Sequence, residues 1–248
     1  MDKAQLTTAA IAATGAGSAT VAARGAVVQH EQLSAAGALT HRSSMVDGAL
    51  HGDMTAFAPN GSKQVQAHYD KGALDGVLKV HDEEGALAQE ATFVKGVKQG
   101  ITRVYMHGRL LAVQNFAAGV LHGETVCYAE SGDIASRQTY FQGKLEGESV
   151  FLSEGRVVRR ARFHQDKLEG ETTLYDRDGV IVQRAIYKDN LLEGPLTRYW
   201  PDGKVMERIL YRAGKPVAAP QRFDSKGVEV RDQAKATLMQ RLEQLVKG

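Results

Sequence analysis

The glycines of this chain fall into two interleaved series, each with a period of 23 or 24 residues. The first series closes short segments such as GALHG, GVLHG and NLLEG, and consists of Gly52, Gly76, Gly100, Gly123, Gly147, Gly170 and Gly194. The second series lies between them and consists of Gly37, Gly61, Gly85, Gly108, Gly132, Gly155, Gly179, Gly203 and Gly227. A constant period of this length indicates a repeat architecture. It is too short for a strand–helix–strand unit, which needs about 30 residues.

Tyrosine and phenylalanine follow the same period. One set lies four residues before second-series glycines: Phe57, Tyr128, Phe151, Tyr175, Tyr199 and Phe223. A second set lies three residues before each loop segment: Tyr69, Phe93, Phe116, Tyr140, Phe163, Tyr187 and Tyr211. The link between aromatic residues and glycines indicates one structural unit per repeat.

Each repeat is predicted to form one β-hairpin. The pairs Asn60-Gly61, Asp178-Gly179 and Asp202-Gly203 predict two-residue type I′ turns, in which both central residues have positive φ. Six to nine residues rich in Val, Thr, Tyr, Phe and Arg lie between the turns, as expected of strands. The predicted fold is all-β, an elongated antiparallel meander of eight or nine hairpins over residues 24–227.

The two ends of the chain differ in composition from the repeats. Residues 1–23 are rich in Ala and Thr and predict a tail or a short helix. Residues 228–248 carry apolar side chains at helical spacing, from Ala234 to Val246, and predict an amphipathic helix that caps the last hairpin. The expected location is the cytoplasm, or the periplasm if residues 1–23 act as a secretion signal.

Composition and motifs argue against several classes of function. The formal net charge is only +2, so a nucleic-acid partner is not expected. The single cysteine, Cys127, excludes a disulfide framework within the chain. No hydrolase, metalloprotease or nucleotide-binding motif is present, and the eight histidines show no local metal-binding spacing. We therefore expect no catalytic residues, no metal site and no cofactor.

A basic stripe is the main candidate for a binding site. Five residues after successive turn glycines come Arg137, Arg160, Arg184 and Arg208, which should share one strand position on one face of the sheet. With Arg159, Tyr199 and Trp200, these residues form the predicted partner-binding surface, because Arg, Tyr and Trp dominate binding energy at protein interfaces. The alternative is that the arginines pair with carboxylates on neighbouring strands.

Glutamates form a second periodic set. Glu146, Glu169 and Glu193 each precede a closing glycine, so we expect them along one edge of the sheet. They form either a solvated rim or a surface that receives a basic partner.

The segments GKLEGESVFLSEG, DKLEGETTLYDRDG and NLLEGPLTRYWPDG resemble the MORN repeat family, and its bacterial variant above all. The resemblance covers about residues 46–227. The resemblance implies an interaction scaffold. The bacterial variant is similar to proteins described as antitoxins or immunity proteins, whose partner is a cognate toxin or effector. The alternative that it implies is a membrane-associated or secretion-related scaffold. A monomer and an edge-paired dimer are both compatible with such an array.

Overall fold

A computed structural model describes residues 25–230, which form one open antiparallel sheet of 21 strands and contain no helix. The strands, β1 to β21 in chain order, are Val27–Leu33, Leu39–Val46, Ala49–Phe57, Lys63–Asp70, Ala73–Leu74, Gly76–His81, Leu87–Val94, Val97–Met106, Arg109–Ala117, Val120–Leu121, Gly123–Tyr128, Ile134–Phe141, Lys144–Leu145, Gly147–Ser153, Arg156–His164, Lys167–Tyr175, Ile181–Lys188, Leu191–Tyr199, Val205–Arg212, Lys215–Pro216 and Gln221–Arg222.

Strands that follow one another in the chain pair in the sheet, except where one strand is interrupted and its two parts both pair with the strand before them: β6 with β4, β11 with β9, β14 with β12 and β21 with β19. The predicted meander is therefore confirmed. Eight hairpins are closed by turn glycines between paired strands. A ninth, at Gly227, has only the bridge between Phe223 and Glu229. The predicted C-terminal helix is not supported at its start, because residues 228–230 are not helical. Its remainder lies outside the described residues, as does the predicted N-terminal tail over 1–23.

The two rows of loops have different geometries. The two-residue type I′ turns belong to the loops that join one hairpin to the next. Both residues of these turns have positive φ in the pairs Asp47-Gly48, Lys71-Gly72, Lys95-Gly96, Ala118-Gly119, Gln142-Gly143, Gln165-Asp166, Asp189-Asn190 and Ala213-Gly214. We call this edge of the sheet the tight-turn edge and the opposite edge the long-turn edge.

The prediction of type I′ turns at Asn60-Gly61, Asp178-Gly179 and Asp202-Gly203 was wrong. At these turns only the glycine has positive φ. The Gly61 N–H donates to the carbonyl of Ala58 at 2.8 Å, and the Ala58 N–H donates to Ser62 at 2.8 Å. This is a three-residue loop, a type I turn followed by a left-handed glycine that forms a bulge.

Turn length explains the irregular steps of the glycine series. The two 23-residue steps in the second series end at Gly108 and Gly155. At these positions alone on the long-turn edge, His107 and Glu154 also have positive φ, at 48° and 51°. Each of these loops is therefore a two-residue turn, flanked by the pairs Met106–Arg109 and Ser153–Arg156. The missing residue shortens the turn and leaves the strand register unchanged.

The closing glycines lie inside the strands, directly opposite the second set of aromatic residues. Gly170 pairs with Tyr187, for example, and Gly194 pairs with Tyr211. Five of the same aromatic residues pair on their other side with the loop leucines, as Tyr187 does with Leu192, whereas Phe93 pairs with Lys98 and Tyr211 with Pro216. An aromatic ring next to a glycine covers backbone that has no side chain of its own. This pairing is why glycines and aromatic residues share one period.

A row of buried side chains, all small except Leu196, runs across one face of the sheet. Its buried members are Ala67, Ala91, Thr102, Thr125, Ser149, Ala161, Thr172, Ala185 and Leu196. Successive members face each other across strands, as Ala161, Thr172 and Ala185 do. We call this row the small-residue line. Because side chains alternate along a strand, the residues beside each member point to the opposite face.

Candidate functional site

The four periodic arginines form one row across the opposite face of the sheet. Arg160 lies opposite Thr173, which in turn lies opposite Arg184. Thr197 separates Arg184 from Arg208 in the same way. Val150 lies between Arg137 and Arg160. The sequence prediction of one position on one face is therefore correct for Arg137, Arg160, Arg184 and Arg208, and we call this row the arginine line.

Three members of the arginine line pair with glutamates on the preceding strand. The Arg137 and Arg160 guanidinium groups lie 3.2 and 3.1 Å from Glu124 and Glu148. The distance between Arg184 Nε and Glu171 is longer, 3.7 Å. All six side chains are between 44% and 56% exposed, so solvent screens these pairs and they contribute little to stability.

Two adjoining depressions open beside the arginine line around Tyr175, with volumes of about 460 and 450 Å³. Tyr175 and Arg160 contribute to both. The first is also lined by Arg156 and Arg177, and the second by Arg162 and Arg184. Sequence reasoning missed Tyr175 as a site residue, although its register is that of Tyr199 one repeat later.

Positive charge is in excess around these depressions. Five arginines line them against three carboxylates, those of Glu148, Glu171 and Asp178. Within residues 25–230, the guanidinium groups of Arg156, Arg162 and Arg177 form no ion pair. Arg156 instead donates to the carbonyl of Arg177 at 3.2 Å. The arginine line together with Arg156, Arg162, Arg177 and Tyr175 is called the arginine surface below.

Arg159 does not belong to this surface. It is the neighbour of Arg160 in β15 and faces the other side of the sheet, where it lies opposite Leu174. Its guanidinium carbon lies 5.3 Å from the centre of the Phe151 ring, a cation–π contact. The structure therefore places Arg159 on the face opposite the other predicted binding arginines, because adjacent residues of a strand alternate between faces.

Tyr199 and Trp200 lie at the long-turn edge, and both are half-buried. Tyr199 follows Thr197 by two positions in β18, so it shares the face of the arginine line. The Trp200 indole N–H donates to the carbonyl of Phe223 at 3.2 Å. This hydrogen bond connects Trp200 to the following repeat and limits the part of its ring that a partner could reach.

The periodic glutamates at the tight-turn edge bind backbone of the next repeat. Glu146, Glu169 and Glu193 accept hydrogen bonds from the N–H groups of Gln165, Asp189 and Ala213 at 3.1, 3.0 and 2.7 Å. Hydrogen bonds from His164 and from the Gln165 N–H hold the pKa of the Glu146 carboxyl below its usual value. These glutamates therefore connect successive repeats, which neither of the two sequence interpretations foresaw.

The same edge explains two departures from glycine in the repeat. Asp166 and Asn190 occupy the turn position that is glycine elsewhere, with φ of 69°. Their side-chain oxygens accept hydrogen bonds from the N–H groups of Leu145 and Leu168, both at 2.7 Å. Asp and Asn tolerate the left-handed conformation, and here each adds a bond to the preceding repeat.

One group of potential metal ligands comes together among the described residues. It consists of Asp82, Glu84 and His107 at the long-turn edge, in hairpins that precede the arginine line in the chain. None of the described residues forms a helix long and apolar enough to span a bilayer.

Comparison with known proteins adds to this geometry. The model of the MORN repeat variant family matches residues 50–71, 168–189 and 192–213. The chain carries MORN repeats at these three places. Each matched segment runs from a loop leucine through a long turn to the next tight turn.

Other comparisons are less informative. No curated protein sequence matches the chain. Among solved structures, it is similar to a chain of the "Crystal Structure of TcdB2-TccC3-Cdc42", with 12% identity over 83% of this chain and a TM-score of 0.22. The match spans only 14% of that chain. A TM-score this low carries no argument about fold or function.

Proposed function

We propose that this MORN-repeat protein is a non-catalytic protein-binding protein whose arginine surface receives an acidic surface of its partner. The observation that carries the proposal is the group of five arginines around Tyr175, three of which have no ion pair within residues 25–230. Such guanidinium groups remain available for paired hydrogen bonds to carboxylates of another chain.

A protein fits this surface better than a lipid bilayer does. Glu124, Glu148 and Glu171 lie among the arginines on the same face and would meet anionic headgroups unfavourably. A protein can present charges of both signs in a matching arrangement, which gives specificity as well as attraction. Arginine and tyrosine are also enriched among the residues that dominate binding energy at protein interfaces.

The finer proposal is an immunity protein or antitoxin. In this proposal, the array binds a toxic effector across the arginine surface, with Tyr199 and Trp200 at the rim, and blocks the effector's active site or its substrate entry. The sequence resemblance to bacterial antitoxin-type repeats supports this finer proposal, and the matched repeat family is compatible with it.

Purification of the tagged protein from its native cells at moderate salt, followed by mass spectrometry, tests the proposal. We expect one dominant partner in stoichiometric amount. Co-expression should then rescue a host from the partner's toxicity, whereas a bound partner without toxicity would contradict the immunity role and leave protein binding intact.

A membrane-associated scaffold is the competing function, because basic residues near an anionic surface are attracted by about 1 kcal/mol each. Flotation with vesicles that contain or lack anionic lipid separates the two. We expect no anionic-lipid-dependent flotation, whereas strong flotation at low salt without any protein partner would replace the proposal.

A further inference from the structure

Three side chains that are remote from the arginine surface converge at the long-turn edge. Asp82 and Glu84 belong to the turn that closes the hairpin of β6 and β7, and His107 belongs to the turn of the next hairpin, β8 and β9. One potential ligand atom from each lies within 4.8 Å of the others. We propose that Asp82, Glu84 and His107 bind a first-row divalent transition-metal ion such as Zn²⁺ and thereby link two successive hairpins.

The backbone holds two of the three ligands in place. Asp82 Oδ1 accepts the Ala86 N–H at 2.7 Å, which fixes the carboxylate and leaves its second oxygen available. His107 is the first residue of a two-residue turn, with φ of 48°, so its backbone is constrained on both sides by paired strands. Within residues 25–230, neither Glu84 nor His107 has a hydrogen-bonding or ionic partner among the side-chain contacts.

The ligand set determines the class of metal. An imidazole nitrogen with two carboxylates suits Zn²⁺ and neighbouring transition metals, whereas Ca²⁺ and Mg²⁺ prefer oxygen ligands alone. Glu84 and His107 are exposed and Asp82 is half-buried, so water can complete the coordination. We therefore expect an open three-ligand site.

Comparison within the chain shows that the cluster does not come from the repeat itself. The only other place in the described array where a three-residue long turn precedes a two-residue one has Ala129, Ser131 and Glu154 at the equivalent positions. Histidine–carboxylate contacts also occur between His51 and Asp70, His68 and Asp53, and His164 and Glu146. Each of these is a pair that lacks a third ligand among the described residues.

Calorimetric titration of the full-length chain with Zn²⁺ tests the proposal. We expect one saturable site in the wild-type protein. His107→Asn removes the imidazole and keeps a residue that tolerates positive φ, and Glu84→Gln removes one carboxylate. Each should weaken binding at least as much as the roughly 10–100-fold that loss of an outer-shell partner costs.

Two control variants make the result specific. Glu83→Gln removes the carboxylate next to Glu84, and His68→Asn removes the imidazole from another histidine–carboxylate pair; both should leave the affinity unchanged. Thermal melts without metal confirm that all four variants are folded. Absence of saturable binding in the wild type, unchanged affinity in H107N, or loss of binding in H68N instead would each overturn the proposal.

Discussion

The two halves of the array share one backbone plan and differ in the side chains on the face that carries the arginine line. In residues 25–120 the four positions equivalent to the arginine line are Arg42, Gln66, Glu90 and Val113, so only one of them is arginine. In residues 121–230 all four equivalent positions are arginine. The small-residue line, in contrast, runs through both halves and is buried in each. Shared features therefore belong to the fold, and features of one half are candidates for function.

The tight-turn edge also differs between the halves, because the second half has more side-chain contacts between successive repeats. In the first half, the N–H groups of Lys95 and Ala118 donate to Asp75 at 3.3 Å and to the neutral Gln99 at 3.0 Å. In the second half, three glutamates occupy this position, and Asp166 and Asn190 add side-chain bonds that glycine cannot make. Lys167 also contacts Asp189 at 2.7 Å. The arginine surface thus lies on the more extensively connected half, as expected for a preorganised binding surface.

Substitutions in the small-residue line should have the largest effect and should affect both halves alike. Ala91 and Ala185 are 1% and 0% exposed. Leucine at either position overfills a closely packed site, which typically costs about 1–3 kcal/mol. We expect Ala91→Leu and Ala185→Leu to lower the free energy of unfolding by similar amounts in urea titrations. Tolerance of either substitution would contradict the assignment of this line as the core.

Closing glycines should be nearly as sensitive, and their sensitivity should depend on local crowding. Gly76 has φ of 123°, and an added Cβ would lie 3.2 Å from His68 Cβ. Gly147 has φ of 81° with nothing within 4 Å of such an atom. Because left-handed backbone costs a non-glycine residue about 1–2 kcal/mol, both alanine variants should be destabilised. Gly76→Ala should lose more stability than Gly147→Ala in the same denaturant experiment, and the reverse order would contradict the crowding described at Gly76.

Periodicity alone predicted the meander and the placement of the four arginines, because steps of 23 and 24 residues return a strand residue to the same face. Turn type could not be read in the same way. Asn60-Gly61 fits a two-residue turn and a longer turn with a bulged glycine equally well, and the partner strand decides between them. The sequence did not predict that Tyr175 lies among the arginines or that Asp82, Glu84 and His107 come together. Both features depend on contacts between repeats, which the sequence of one repeat does not specify.

Exchanging asparagine and glycine at the tight turns should have a smaller effect on stability. It should remove a side-chain hydrogen bond from the second half and introduce one in the first. Asn190→Gly removes the bond to the Leu168 N–H, and a hydrogen bond contributes about 0.5–1.5 kcal/mol. Gly96→Asn introduces the same side chain at the equivalent turn, where an added Cβ meets nothing within 4 Å. We expect slight destabilisation by the first change and a neutral or slightly stabilising second change in thermal melts. A strongly destabilised G96N would show that the tight turns of the two halves are not equivalent.

The smallest expected effect is on the pH dependence of the second half. Hydrogen bonds lower the pKa of Glu146 below 4.5 in the folded chain, so the unfolded chain takes up a proton first as the pH falls. The stabilisation is therefore present above pH 4.5 and is lost as the pH falls through the lowered pKa. Glu146→Gln should flatten the acid side of the stability profile, measured as melting temperature against pH. An unchanged profile would contradict the claim that Glu146 stabilises the contact between its repeat and the next.

The central claim is that the partner binds the arginine surface of the second half, and matched charge reversals test it most directly. Arg160→Glu with Arg184→Glu reverses two arginines of that surface. Arg42→Glu with Arg103→Glu reverses two arginines of the first half that are likewise paired with a glutamate, at 2.8 and 3.0 Å. In binding titrations with the co-purified partner, the account predicts a large loss of affinity for the first double variant and little change for the second. Equal affinities, with both variants folded, would contradict it.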